Sequence, residues 1–329
     1  MKIILCTGDS HTWGQGATGL IDYFGTYKTN VMGGDLRLAP FRYPSYVNLV
    51  RQAVNSMTGS FAQEYDREHR DGFQFVGDYD LDDYLSIKSG SAQLSVQGSL
   101  VRIEFLCLCE PSGAEISVDG VVRQELNLTG KGEKANDFRI AVLRLEGDGR
   151  HDIRIKASQG PVCVYRIESY GGPYAVVNCG IGSCSTKKYL DIYFAEYVAA
   201  YQPDTVIMEA QTINDWLNLA PADSSNSLLS LINRVKQLGA APLVMTVAPI
   251  MGNQVNQDGF DYAIYQQAAR YAARLSGVTL IDANRVMNDR LAGLAPDAQF
   301  QLLFRDNWHV NDEGNRLYAA EILQTMKLC

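Results

Sequence analysis

Uniform apolar runs alternate with amphipathic segments from residue 173 to the C-terminus. "YAVVNCGIG", "DTVIMEA", "APLVMTVAP" and "VTLIDAN" read as strands. Between and after them, "TKKYLDIYFAEYVAAY", "SLLSLINRVKQLG", "DYAIYQQAARYAARLSG" and "NDEGNRLYAAEILQTMKL" read as helices, two of them closed by a Gly stop. Strands that are apolar without alternation are buried on both faces, and their alternation with capped helices predicts a parallel sheet covered on both sides. The same texture occupies the N-terminus, where Lys2 to Thr7 form a strand and "YPSYVNLVRQAVNSM" a helix. The fold class predicted is α/β, a doubly wound parallel five-stranded sheet built from 1–65 and 173–329.

Residues 73–170 follow another rule. "SAQLSVQG", "LVRIEFLCLCE", "AEISVDG", "DFRIAVLRLEG", "HDIRIKAS" and "VCVYRIESY" alternate apolar and polar positions, separated by turns such as Pro111-Ser112-Gly113 and Gly147-Asp148-Gly149. Period-two runs with no helical segment among them predict an inserted antiparallel β-sandwich. A Gly-rich loop, "NVMGGD", lies between 17 and 65.

Composition narrows the classes. The 329 residues are 46% hydrophobic and 20% charged, with a net charge of −8 from 29 basic and 37 acidic side chains. With no basic run to face phosphates, a nucleic-acid or anionic-membrane partner is not expected. No apolar stretch reaches the length of a membrane span and no apolar signal region follows Met1, so a cytoplasmic location is expected. Seven cysteines (Cys6, Cys107, Cys109, Cys163, Cys179, Cys184 and Cys329) sit mostly in apolar runs and are expected to be reduced thiols. The one-residue spacing of Cys107 and Cys109 suits no zinc knuckle.

The first strand runs into Gly8-Asp9-Ser10. A polar turn at the carboxyl end of a strand is where open α/β sheets place reactive groups. A serine attacks acyl carbonyls only when an oriented base takes its proton. Of four histidines, His309 in "FRDNWHVNDEG" has Asp306 three residues upstream, within one tight turn. His11 directly follows Ser10, so the two side chains diverge; His69 lies in a charged stretch and His151 begins a sandwich strand. Donors for an oxyanion, each worth about 3–4 kcal/mol in a transition state, are offered by Asn214 after "DTVIMEA" and by the Gly182-Ser183 turn after "YAVVNC".

The four blocks together resemble the SGNH (GDSL-type) esterases. "TGDSHTWGQG" matches the first block, "NCGIGSCST" resembles the second, "TINDW" matches the third, and "DNWHVNDEGNRLYA" matches the Asp-x-x-His block. The resemblance covers 1–60 and 173–329 and implies a flavodoxin-like catalytic domain. It implies Ser10 as nucleophile, His309 as general base then acid, and Asp306 as its orienting carboxylate. The oxyanion hole would be the Ser10 N–H, a backbone N–H of Gly182 or Ser183, and the Asn214 side chain. Two departures stand out: the donor glycine of the second block falls on Ser183, and Thr212 replaces the glycine of the third. "GDGRHDIRIKAS" and "EISVDGVV" resemble the jelly-roll domain of some carbohydrate esterases, which either lines a wall of the substrate groove or serves packing and oligomerisation.

The resulting expectation is a serine esterase that removes short acyl groups, acetyl foremost, from a small-molecule or oligosaccharide ester, with no metal and no cofactor. Trp13, Trp216 and Trp308, each within three residues of a proposed catalytic residue, are candidate substrate contacts together with Asp9; Tyr43 is a further aromatic. Asp9 and Asp215 are read chiefly as braces of their loops. A thioesterase or lysophospholipase, an acyltransferase, and a non-catalytic carbohydrate-binding relative are the alternatives, and a homo-oligomer is left open.

Overall fold

The computed structural model describes residues 1–19, 40–65, 72–81, 85–107, 110–130 and 138–327. The Gly-rich stretch 30–35, His69, Cys109 and Cys329 lie outside the described residues.

Five strands form one sheet: Lys2–Gly8, Tyr174–Gly180, Thr205–Ala210, Ala241–Thr246 and Thr279–Ile281. Numbered by their appearance along the chain, they lie in the order 2-1-3-4-5. The first pairs in parallel with the third, the third with the fourth, and the fourth with the fifth. In such a sheet the chain changes direction between strands one and three, and the crevice at their carboxyl ends is where polar loops diverge. Ile3, Ile4, Leu5 and Cys6 of the first strand, and Val206, Ile207 and Met208 of the third, are all buried, which is why neither stretch alternates in sequence. Thr7 stands opposite Met208, so the chain leaves the first strand level with Glu209 and Ala210.

The helices are bounded by the signals their sequences carry. Tyr262–Ser276 starts behind Asp261, whose side chain accepts the Ala263 N–H, and ends at Gly277 in the left-handed region. Asp312–Thr325 starts behind Asn311, whose side chain accepts the Glu313 and Gly314 N–H groups. Pro221–Gln237 begins six residues earlier than the apolar pattern, which starts at Ser227, because its first turns are mostly Pro, Asp and Ser rather than apolar. Ala283–Leu291 and Pro296–Leu303 are helices that no apolar periodicity announces.

The segment expected as one helix from 186 to 201 changes pitch along its length. An α-turn at Thr186–Lys188 gives way to a wide π-turn at Tyr189–Tyr193, then α at Phe194–Tyr197 and 3₁₀ at Ala199–Tyr201. The buried aromatics Tyr189, Phe194, Tyr197 and Tyr201 are spaced by five, three and four. A regular helix cannot bring a five-residue step to one face, and the wide turn does.

Residues Asn55 to Ala175 form a second compact unit. A six-stranded antiparallel sheet is built around Leu100–Leu106 and Val162–Gly171. A five-stranded one is built around Ser91–Gln97, Arg150–Gln159 and Gly113–Val118. One apolar cluster draws on both sheets, with Val101, Ile103, Phe105 and Ile167 from the first and Leu94, Val96, Ile116 and Ile153 from the second. Phe61–Tyr65, placed by sequence in the α/β part, is instead a strand paired antiparallel with Val162–Gly171. Its five residues are too few for alternation to separate them from the preceding helix.

Cys6, Cys107, Cys163, Cys179 and Cys184 are buried thiols in no disulfide among the described residues. Burial pushes the Cys6 thiol up to about 12 and that of Cys163 to about 11, so both stay protonated. No helix among the described residues is long and apolar enough to cross a membrane.

Candidate active site

At the carboxyl edge of the sheet the first strand ends in Gly8 and turns at once into a four-residue helix, Ser10–Trp13. Asp9 caps that helix, its Oδ1 accepting the His11 N–H at 3.1 Å. A Cβ on Gly8 would collide with the side chains of Glu209 and Thr12, so only glycine lets the turn close this tightly. Ser10 is thereby held at the top of the sheet, 6% exposed.

The Ser10 Oγ lies 2.9 Å from His309 Nε2. On the far side of the ring, Nδ1 lies 2.8 Å and 3.0 Å from the two Asp306 carboxylate oxygens. Because a carboxylate only accepts, Nδ1 carries the ring proton of the neutral imidazole, and Nε2 is left as the acceptor facing the hydroxyl. The loop is tight enough for Asp306 Oδ1 also to accept the backbone N–H groups of Trp308 and His309, at 2.8 and 2.7 Å. Burial alone would raise the Asp306 carboxyl; the hydrogen bond and charge of His309 and the two backbone donors hold it well below the usual carboxylate range.

The first turn is bound to the third strand through Glu209. Its Oε2 accepts the Thr12 hydroxyl at 2.6 Å, the Thr12 N–H at 3.1 Å and the Asp9 N–H at 3.3 Å. Tyr46, 2.6 Å from the Thr12 hydroxyl, donates into it. His11 lies inside the same cluster. Its Nδ1 is 3.3 Å from Asp9 Oδ1 and 3.2 Å from Glu209 Oε1, and its Nε2 donates to the Trp308 carbonyl at 2.9 Å. Burial alone would lower the imidazole; the hydrogen bonds and charges of Asp9 and Glu209 outweigh it and raise it to about 10. The Asp9, His11 and Glu209 ligand-type atoms lie within 4.8 Å of one another, a grouping of metal-binding type. Their bonds to one another account for them as an ion cluster, and no metal ligand is assigned.

Asn214 projects from a helix, Ile213–Asn218, whose start is fixed by reciprocal capping between Thr212 and Asp215. Its amide donates to Asp9 Oδ2 at 2.8 Å, joining the third block to the first. Asp215 accepts the Thr186 hydroxyl at 2.6 Å and the Thr186 and Thr212 N–H groups at 2.9 and 2.8 Å. It braces two loops, and burial lifts its carboxyl to about 6 against those bonds. Thr212 therefore does by side-chain capping what a glycine cannot. In the second block Gly182 is buried and Ser183 exposed, with Ser183 in the left-handed region at φ 56°. That conformation is the one a glycine at this position adopts without strain.

The expected substrate contacts separate. Asp9 is fully enclosed, its oxygens taken by His11 and Asn214, and cannot meet a ligand. Trp216 is buried, with its indole N–H on the Phe260 carbonyl at 2.9 Å and its ring edge-on to Tyr262. Trp13 is buried as well. Trp308, at 42% exposure, is the one that faces outward. Sequence reasoning passed over Glu209 and the placement of His11. The signal for Glu209 was available, since it is the one charge in the strand "TVIMEA".

No family model matches the chain, and no curated protein matches it significantly. Among solved structures the chain is similar to a peptidoglycan O-acetylesterase, with a TM-score of 0.56, 16% identity, and coverage of 100% of this chain and 91% of that one. It is also similar to Axe2, an acetylxylan esterase from Geobacillus stearothermophilus, with a TM-score of 0.40, 23% identity, and coverage of 46% of this chain and 72% of that one. The first likeness shows a shared fold over the whole chain.

Two outcomes follow from the loop geometry. Ser183→Gly holds stability unchanged or raises it by up to about 1 kcal/mol, whereas Ser183→Val lowers it by about 1–2 kcal/mol, read by urea denaturation. The Asp306 carboxyl sits below its unfolded value, so the stability it contributes is present above about pH 4 and lost as pH falls below that. Asp306→Asn therefore flattens the acid side of the stability profile, measured as the urea midpoint between pH 3 and 6.

Proposed function

We propose that this chain is a serine esterase that removes acetyl or other short acyl groups from a carbohydrate. The observation that carries this reading is the continuous relay of Ser10 Oγ, the His309 ring and the Asp306 carboxylate. In it, His309 Nε2 takes the hydroxyl proton as Ser10 Oγ bonds to the ester carbonyl carbon. Asp306 holds the ring in the required tautomer and stabilises the imidazolium that forms. The tetrahedral oxyanion is received by the Ser10 N–H, a backbone N–H of Gly182 or Ser183, and the Asn214 amide proton that is not committed to Asp9. When the intermediate collapses, the bond from the carbonyl carbon to the sugar oxygen breaks and His309 gives its proton to that oxygen, which leaves as a hydroxyl; water activated by the same ring then cleaves the acyl-enzyme.

The whole-chain likeness to a peptidoglycan O-acetylesterase supports an O-acetylated glycan as the substrate class. Exposed Trp308, one residue from His309, offers an apolar face to a sugar ring at the mouth of the site. Under this reading the parallel-sheet unit carries the reaction. The antiparallel segment spanning about 73–170, together with Phe61–Tyr65, is an inserted β-sandwich.

Hydrolysis of p-nitrophenyl esters of two to twelve carbons tests the reading. The expected result is a maximum at acetate, with kcat/KM lowered about 10³-fold or more in Ser10→Ala and His309→Ala. Asn214→Ala is expected to lower it by about 10²–10³-fold. A Ser10→Ala variant as active as the wild type would sink the proposal, and a maximum at eight carbons or more would move the substrate to lipids or thioesters.

A further inference from the structure

His11 is a buried histidine that the relay does not use, and its surroundings leave little choice of protonation state. Nε2 faces a backbone carbonyl, that of Trp308 at 2.9 Å, which can only accept; Nε2 therefore carries a proton. Nδ1 faces Asp9 Oδ1 at 3.3 Å and Glu209 Oε1 at 3.2 Å. Asp9 Oδ1 already accepts the His11 backbone N–H, and its partner oxygen accepts the Asn214 amide. Glu209 Oε2 accepts three donors. Against its burial, His11 and the Asn214 amide hold the Asp9 carboxyl below its ordinary value and so ionised, whereas burial and the Asp9 charge push the Glu209 carboxyl up against its donors. A neutral ring would then point a nitrogen lone pair at the Asp9 anion and at a Glu209 carboxyl oxygen in a site closed to water. Among the described residues, two further rings lie near His11: His309, with its centroid 5.3 Å away, and Tyr318, at 6.2 Å. Burial keeps the Tyr318 phenol well above its ordinary value and so uncharged.

We infer that His11 is a permanent imidazolium that locks the loop carrying His309 onto the turn carrying Ser10. The inference rests on the proposed roles of Ser10 and His309, for which His11 is a positioning residue and not a base. The cation has three attachments that belong to different blocks of the chain. It holds Asp9, which caps the turn behind Ser10 and fixes the Asn214 amide; it holds Glu209 on the third strand; and it holds the carbonyl of the residue before His309.

The state of the ring is read directly on the full-length wild-type protein by long-range proton–nitrogen NMR of its histidines between pH 6 and 8. The expected spectrum has both nitrogens of the His11 ring protonated and unchanged across the range. A neutral tautomer at pH 7 overturns the inference, whether Nδ1 is bare, receives a proton from Glu209, or is bound to a metal. The positioning role is read on His11→Gln with an acetyl ester. The expected variant loses about 10²-fold in kcat with KM within about twofold. A variant with wild-type kcat, or one whose loss falls on KM as much as on kcat, would leave a merely structural histidine and overturn the role. If the wild type hydrolysed no ester, the assignment of Ser10 and His309 would fail while the NMR result still decided the charge of His11.

Discussion

A carboxylate buried at the end of an apolar strand must be met by donors, and at Glu209 the donors come from the turn that carries Ser10. The Thr12 hydroxyl, the Thr12 N–H and the Asp9 N–H all converge on one oxygen of a side chain that is 3% exposed. Removing any of them would leave a buried charge short of a partner, at a cost that would be a large share of the stability of a domain this size. The demand therefore acts on the backbone. It sets where the first strand stops, why Gly8 admits no side chain, and which way the Ser10–Trp13 helix points. Register completes the constraint, since pairing of Thr7 with Met208 brings the turn and Glu209 to the same level.

From that fixed turn the remaining contacts extend outward. Asp9 reaches the Asn214 amide, His11 reaches the Trp308 carbonyl, and Ser10 reaches the His309 ring. The loop from Arg305 to Val310 is also seated from a second side, because a Cβ on Gly16 would collide with the Val310 carbonyl. Segments nearly 300 residues apart in sequence thus meet through short polar contacts organised by buried charge, and apolar packing beneath them supplies the platform. This division of labour is common where reactive groups must be held to within a fraction of an ångström.

The parallel sheet was legible because its strands are apolar on both faces and its helices carry caps. Ser10, Asn214, Asp306 and His309 were legible as polar residues just beyond such elements. Other features were not, for reasons that are physical. Whether Asp9, Trp13 and Trp216 face a ligand or the interior depends on which loop packs over them, and that is a tertiary fact. His11 was rightly separated from Ser10 by its direction, yet its three partners come from positions 9, 209 and 308, and nothing local connects those. Glu209 was visible as a lone charge among apolar residues, but its meaning required the register of two strands. The pitch changes between Thr186 and Tyr201 arise from the spacing of buried aromatics, which helical periodicity averages away.

Covalent trapping tests the central claim most directly. The full-length protein is treated with a fluorophosphonate, which phosphonylates a serine only when an adjacent base and an oxyanion hole activate it, and the labelled site is located by peptide mass spectrometry. The account predicts one adduct, on Ser10, formed in the wild type and absent in His309→Ala. An adduct on another residue, or ester hydrolysis that continues with Ser10 unlabelled and blocked by nothing, would contradict it.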